Sequence, residues 1–182
     1  MALRPTIHRA QVEISDIDRN HYAMHTLTLA RHPSETDERM MVRLLSFVLD
    51  ASEQLGFGAG LSESDEPDLW EKDLTGAIQL SIDVGQPDAK LIRKASRRAD
   101  RVKILAYGKG MEPWWNKTRE ELSGLANVTV LALTPEESAA LATLAERNMS
   151  LHALVQNGQI TLSSASKVVE ITPLQRFPGG GD

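Results

Sequence analysis

The sequence predicts a single α/β domain in which a mixed β-sheet is flanked by helices. Three observations carry this prediction. Residues 78–84 alternate Ile78, Leu80, Ile82 and Val84 with Gln79, Ser81 and Asp83, the period-2 pattern of a strand with one buried face. Two short apolar runs, 101–107 and 128–133, suit central strands, and helical segments at 112–122 and 135–147 follow them. Alternating segments pair up near both ends of the chain, 6–14 with 22–29 and 150–155 with 159–162, as hairpins.

A chain of 182 residues that is 41% hydrophobic can fill one core without a second domain. The domain is placed at residues 1–175, with a loose glycine-rich tail at 176–182. There are no cysteines, which excludes a disulfide framework, a thiol nucleophile and a Cys-ligated zinc site. The start lacks the apolar run of a signal peptide, and no stretch approaches a membrane span, so a soluble cytoplasmic protein is expected. A net charge of −5 argues against wholesale coating of nucleic acid and leaves only a local patch for that task.

His21 closes the turn-rich segment 16–21, and His25 lies in the second strand of the first hairpin. Four strand residues span about 13 Å, so the two are expected to be ordinary surface histidines. Pro33 and Ser34 then mark a helix entrance, with Ser34 as N-cap and Asp37 completing a capping box. This helix is expected over about residues 35–54, stopping at Gly56, with Met41, Leu44, Leu45, Val48 and Leu49 as its apolar stripe. At 100° per residue Glu38 falls in the direction of Leu45 and Leu49, where a carboxylate needs a partner or a task. A first-turn acid favoured by the helix dipole is the competing account of Glu38. The glycine-rich segment 56–60 and the acidic segment 61–66 form a connection, and no Gly-Lys-Ser/Thr follows to make a phosphate loop.

The stretch 66–86 is the hairpin around which the rest is organised. With Thr75-Gly76 as a two-residue turn, facing residue numbers sum to 151: Asp68 meets Asp83, Trp70 meets Ser81 and Lys72 meets Gln79. A three-residue loop at 74–76 with a bulge would set Asp68 opposite Ile82 instead. Facing Cβ atoms lie about 4.5–5.5 Å apart, and two carboxylates there repel by roughly 3 kcal/mol at an effective dielectric near 20. Two solvated acids splayed apart would tolerate this, and a hard cation would relieve it. Mg²⁺ is commonly held by one or two carboxylates plus waters and phosphates.

Residues 87–99 form a helix with Pro87 near its first position. Between 89 and 103 stand seven Lys/Arg against Asp100, a local charge of +6. A solvated helix face accounts for such a run by itself. Beside a carboxylate pair it also suits a polyanion, and Lys90, Arg93, Lys94 and Arg97 are the expected phosphate contacts. Of Trp114 and Trp115, adjacent on a helix, one is expected to pack in the core and the other to remain partly exposed. Asn157-Gly158 is a strong hairpin turn, and residues 167–171 supply a last strand.

Pro67-Asp68, then Asp83 fifteen residues later near the end of the next strand, then a basic helix, resembles the PD-(D/E)xK nuclease motif. Residues 27–43, 65–70, 82–88 and 145–149 carry a more specific resemblance, to the bacterial YaeQ family, which extends over about residues 3–173. That family resembles a variant PD-(D/E)xK fold. The resemblance therefore implies a restriction-endonuclease-like domain with extra N- and C-terminal hairpins, and Mg²⁺- or Mn²⁺-dependent phosphodiesterase or nuclease chemistry. It implies that Asp68 and Asp83 hold the metal and that Glu38 holds a metal-bound water. The sequence departs from the motif at Gly85, where the catalytic lysine should stand. Lys72, from the same face as Asp68, or Gln86, just past the strand, is expected to orient the nucleophile instead. The competing expectation is a non-catalytic module that keeps the fold and binds nucleic acid or protein through the helix at 87–99.

Overall fold

The computed structural model describes residues 3–59, 61 and 65–177. Within them the chain runs β1 (Thr6–Asp16), β2 (His21–Arg31), α1 (Asp37–Asp50), β3 (Leu55–Phe57), β4 (Leu69–Lys72), β5 (Ile78–Val84), α2 (Ala89–Arg98), β6 (Ala99–Ala106), α3 (Met111–Thr118), β7 (Val128–Ala132), α4 (Pro135–Ala142), β8 (Asn148–Gln156), β9 (Gln159–Ser163), β10 (Val168–Ile171) and β11 (Leu174–Phe177).

Two mixed sheets result, where the sequence suggests one. The terminal hairpins do not extend the central sheet; they join each other, because β1 runs parallel to β8, with Val12 beside Leu151. The five-stranded sheet has the order β10-β9-β8-β1-β2. The six-stranded sheet has the order β11-β7-β6-β5-β4-β3, with β5, β6 and β7 parallel and the other pairs antiparallel.

Helix α1 lies between the sheets. Met40, Met41, Val42, Leu44, Leu45, Phe47 and Val48 are all buried, so the helix is apolar on more than the single stripe its spacing predicts. One core joins it to Val12, Ile14 and Leu29 on one side and to Leu69, Leu80 and Ile82 on the other. The far face of the six-stranded sheet has its own core, where Val102, Ile104, Val128 and Val130 meet Ile92 of α2 and Trp115 of α3. Trp115 is buried and Trp114 half-buried, as expected, and the Trp114 indole donates to the Pro87 carbonyl at 2.8 Å.

Local chemistry corrects several boundaries. Helix α1 is capped by Thr36, whose hydroxyl accepts from the Arg39 N–H, and not by Ser34. The Ser34 hydroxyl is engaged by His32 Nδ1 at 2.6 Å, within a turn closed from the Glu35 N–H to the His32 carbonyl. The helix ends at Asp50, short of residue 54. The β4–β5 register keeps the sum of 151 at Leu69–Ile82, Trp70–Ser81 and Glu71–Leu80. A bulge then sets Lys72 opposite Ile78 and not Gln79. The turn is longer than Thr75-Gly76 because Asp73 Oδ1 accepts from the Thr75 N–H, the Thr75 hydroxyl and the Ala77 N–H. Gly76, at φ 87, supplies the left-handed step. Arg176 and Phe177 belong to β11, paired to β7, so the ordered domain runs past residue 175. Residues 178–182 of the expected tail lie outside the described residues. No helix among the described residues is long and apolar enough to cross a membrane.

Candidate active site

At the start of β4 and the end of β5 the chain brings Asp68 and Asp83 together. The Asp68 N–H donates to Asp83 Oδ1 at 3.3 Å, and the Val84 N–H donates to Asp68 Oδ2 at 2.9 Å. Asp68 stands just ahead of β4, and side-chain hydrogen bonds tie it to the end of β5. Its carboxylate also takes up a strand-end N–H that the short β4 leaves without a carbonyl partner. Asp68 is 5% exposed, deep enough that its charge requires compensation.

That compensation comes from α1. Arg39 donates from Nη2 to Asp68 Oδ1 at 2.7 Å and from Nη1 to Glu35 Oε1 at 3.0 Å. Glu35 in turn accepts both Nε and Nη2 of the fully buried Arg43, at 2.7 and 2.8 Å. Arg43 also donates to the Ala30 carbonyl of β2 at 3.1 Å. A continuous charged chain therefore runs from β2 through α1 to β4, with bidentate geometry at its most buried link.

Among the described residues, Asp83 has no such partner. Burial pushes its carboxyl up to about 6, and the neighbouring Asp68 charge adds to the shift; the Asp68 N–H and Arg39 offset only part of it. Just past β6, burial pushes the Tyr107 phenol up to about 12, and it feels the charges of Arg39, Glu38, Glu35 and Asp68. Tyr107 therefore belongs to the same cluster. Gly85, at φ 97, turns the chain beside its ring.

The remaining expected site residues are placed differently. Glu38 is half-buried and accepts the Ser138 hydroxyl at 2.6 Å, tying α1 to α4. Its task is thus at least partly structural. Among the described residues, no three His, Asp or Glu side chains converge as a metal-holding group, so Glu38 does not complete a triad with Asp68 and Asp83. Lys72 is exposed, and its ammonium lies 3.5 Å above the centre of the Trp70 ring, which separates it from Asp68 along the strand. Gln86 spends its amide NH₂ on the Tyr107 and Lys109 carbonyls, at 3.0 and 3.1 Å. On α2, Arg93 pairs with Glu121 and Lys94 with Asp65, while Lys90 and Arg97 have no ion-pair partner among the described residues.

His21 and His25 are not independent surface groups. Their Nε2 atoms are 3.0 Å apart and their rings stack, because both side chains lean along the strand toward each other. Burial lowers the His25 pKa, and His21 lowers it further.

The YaeQ family model, described as "YaeQ protein", matches residues 1–173. This chain belongs to the YaeQ family. The YaeQ protein of Salmonella typhi is 42% identical over 172 residues, covering 94% of this chain and 95% of that protein. The YaeQ protein of Escherichia coli K12 is 40% identical over the same shares. The crystal structure of YaeQ from Xanthomonas axonopodis pv. citri superposes with a TM-score of 0.93 at 44% identity, covering 96% of this chain and 99% of that one. YaeQ from Pseudomonas syringae also superposes at 0.93, with 36% identity, over 97% and 98% of the two chains. The two-sheet arrangement around α1 is thus built on a YaeQ fold.

Glu35, Arg39, Arg43 and Tyr107 lie around the two acids and are residues that sequence reasoning missed. The spacing Glu35, Arg39, Arg43 was a readable signal, since a carboxylate four residues before an arginine marks a helix pair. Nothing local connects Arg39 to Asp68, 29 residues away.

Proposed function

We propose that Asp68 and Asp83 form a divalent-cation site and that the protein hydrolyses phosphodiester bonds of nucleic acid held against α2. The observation that carries this reading is Asp83: a half-buried carboxyl beside the Asp68 carboxylate, engaged by one backbone N–H and by no cationic side chain among the described residues, and pushed up to about 6 by burial and by the Asp68 charge. Buried acids without a countercharge are costly and concentrate at functional sites.

The donor set fits Mg²⁺ or Mn²⁺. Only Oδ1 of Asp83 is engaged by the chain among the described residues, and two carboxylates completed by waters and phosphate oxygens satisfy such ions. Asp68 and Asp83 would hold the cation, which when bound supplies Lewis acidity at the phosphate and an acidified water. Arg39, beside both acids, holds Asp68 in place and offers a guanidinium to a phosphate oxygen. Gln86 has its carbonyl oxygen left to orient a water, since its NH₂ is committed. Lys90 and Arg97 present uncommitted cations to the backbone, and the exposed pairs of Arg93 and Lys94 are weak enough to be exchanged for phosphate.

A second reading has an observation in its favour. Arg39 already places a positive charge 2.7 Å from Asp68, and glycine stands at position 85 where the motif lysine would be. A non-catalytic binding module that has replaced the cation with an arginine would have both features.

Thermal unfolding with and without Mn²⁺, alongside cleavage assays on labelled DNA and RNA, separates the two. The cation-site reading expects Mn²⁺ to raise the melting temperature of the parent protein, and Asp83→Asn to abolish that rise. No rise in the parent refutes the cation site and leaves the binding module.

A further inference from the structure

His21 and His25 stand four residues apart on β2, and neither belongs to the acid pair or to the basic face of α2. β2 is the outer strand of the five-stranded sheet, so one flank of the pair carries no neighbouring strand. Both side chains are half-buried. Their Nε2 atoms are 3.0 Å apart, the ring centres are 5.3 Å apart, and the ring planes differ by 20°. These distances put both nitrogens on the line between the ring centres, so one ring donates its Nε2–H to the lone pair of the other. Phe47 of α1 meets His25 edge-on at 5.1 Å and supports that ring.

We infer that His21 and His25 form a two-histidine site for a Zn²⁺ ion, completed by water and separate from Asp68 and Asp83. The geometry is that of a zinc pair one step short of the ion. Zinc takes imidazole nitrogens at about 2.0–2.1 Å and at tetrahedral angles, which sets the centres of two bound rings about 5.2 Å apart and their nitrogens about 3.3 Å apart. The centres of His21 and His25 already have that spacing. A tilt of about 35° in each ring then turns both lone pairs from each other toward one ion, and the nitrogens separate by about 0.3 Å. The square-planar angle of Cu²⁺ or Ni²⁺ would instead require centres about 4.5 Å apart.

Ligand chemistry points the same way. Imidazole suits zinc, whereas Mg²⁺ and Mn²⁺ prefer oxygen ligands, so this pair and the two acids select different ions. A metal requires both rings neutral. Burial lowers the His25 pKa and His21 lowers it further; Glu53 raises it and Arg19 lowers it. On binding, the shared proton passes through solvent to Nδ1 of the donor ring, which leaves both Nε2 lone pairs for the ion. No third His, Asp or Glu converges on the pair among the described residues, so water fills the remaining positions.

Isothermal titration of Zn²⁺ into the parent, His21→Gln and His25→Gln at pH 7.5 tests the site. The parent should take one equivalent more than either variant, and titration of Mg²⁺ should show no such difference. Equal melting temperatures in chelator would show that the variants fold. A Zn²⁺ titration unchanged by the substitutions, or changed by only one of them, overturns the site, as does a parent that takes no Zn²⁺. In the parent alone, Zn²⁺ should slow modification of His21 and His25 by diethyl pyrocarbonate at least tenfold while the exposed His152 stays reactive, read by peptide mass. Unshielded His21 and His25 overturn the site even where a variant fails to fold. Zinc held by Asp68 and Asp83 would survive both substitutions, so failure of the acid-pair reading leaves this one standing.

Discussion

Arg39 Nη2 donates to Asp68 Oδ1 at 2.7 Å, so a residue of the buried central helix sets the charge balance of an acid at the mouth of the hairpin. The contact leaves the two carboxylates unequal. Among the described residues, Asp68 has a guanidinium and a backbone N–H, whereas Asp83 has a single backbone donor. This asymmetry shows which change should stabilise the protein and which should weaken it.

Removing Arg39 exposes the dependence of Asp68 on it. Arg39→Met should destabilise the protein in chelator by about 3 kcal/mol, because breaking a buried pair leaves an uncompensated charge. If a divalent cation binds at Asp68 and Asp83, Mn²⁺ should restore more stability to this variant than it adds to the parent, since the ion then has no guanidinium to compete with. Urea unfolding at fixed Mn²⁺ measures both quantities. A variant as stable as the parent would show that the pair contributes nothing to the fold.

Asp83 should make the protein less stable above neutrality. Its folded pKa of about 6 lies above the unfolded value near 3.9, so the folded state binds the extra proton between these values. Stability therefore falls as pH rises from about 4 to 6, and the full cost persists above that window. Asp83→Asn removes the charge and keeps an oxygen for the Asp68 N–H. In chelator it should gain about 2–3 kcal/mol at pH 7.5 and almost nothing at pH 4, the size following from about 1.36 kcal/mol per pKa unit. A gain independent of pH would assign the effect to packing.

The Glu35–Arg43 link should behave as a buried pair whose halves cannot be removed singly. Arg43→Leu should cost about 3–5 kcal/mol by leaving Glu35 buried with only Arg39, while Arg43→Leu combined with Glu35→Leu should recover part of that loss. A double-mutant cycle from chemical denaturation gives the coupling. Additive losses would mean that the two residues act independently.

On α2 the uncommitted cations should matter most to nucleic acid. Lys90→Glu with Arg97→Glu should weaken oligonucleotide binding and reduce its salt dependence, by roughly 0.7 per lost contact on a single strand. An unchanged salt slope would leave the basic face as solvated surface.

The sequence by itself determined the α/β class, the positions of most strands, and the pairing of β4 with β5 that brings Asp68 near Asp83, because each rests on short-range periodicity and on a hairpin whose strands are neighbours in the chain. It also placed the basic face of α2, since that charge run is contiguous. It left a bulged loop as an alternative but did not place the bulge at Lys72, because the side chain of Asp73 rebuilds the turn with three hydrogen bonds that the residue pattern does not count. Only the tertiary structure decided that the terminal hairpins form a second sheet, since β1 and β8 are about 140 residues apart and register between distant strands follows from shared burial. Burying α1 between two sheets also decided the roles of its charged residues. Glu35, Arg39 and Arg43 have nowhere to go but to one another and to Asp68, because desolvated charges must find partners within reach.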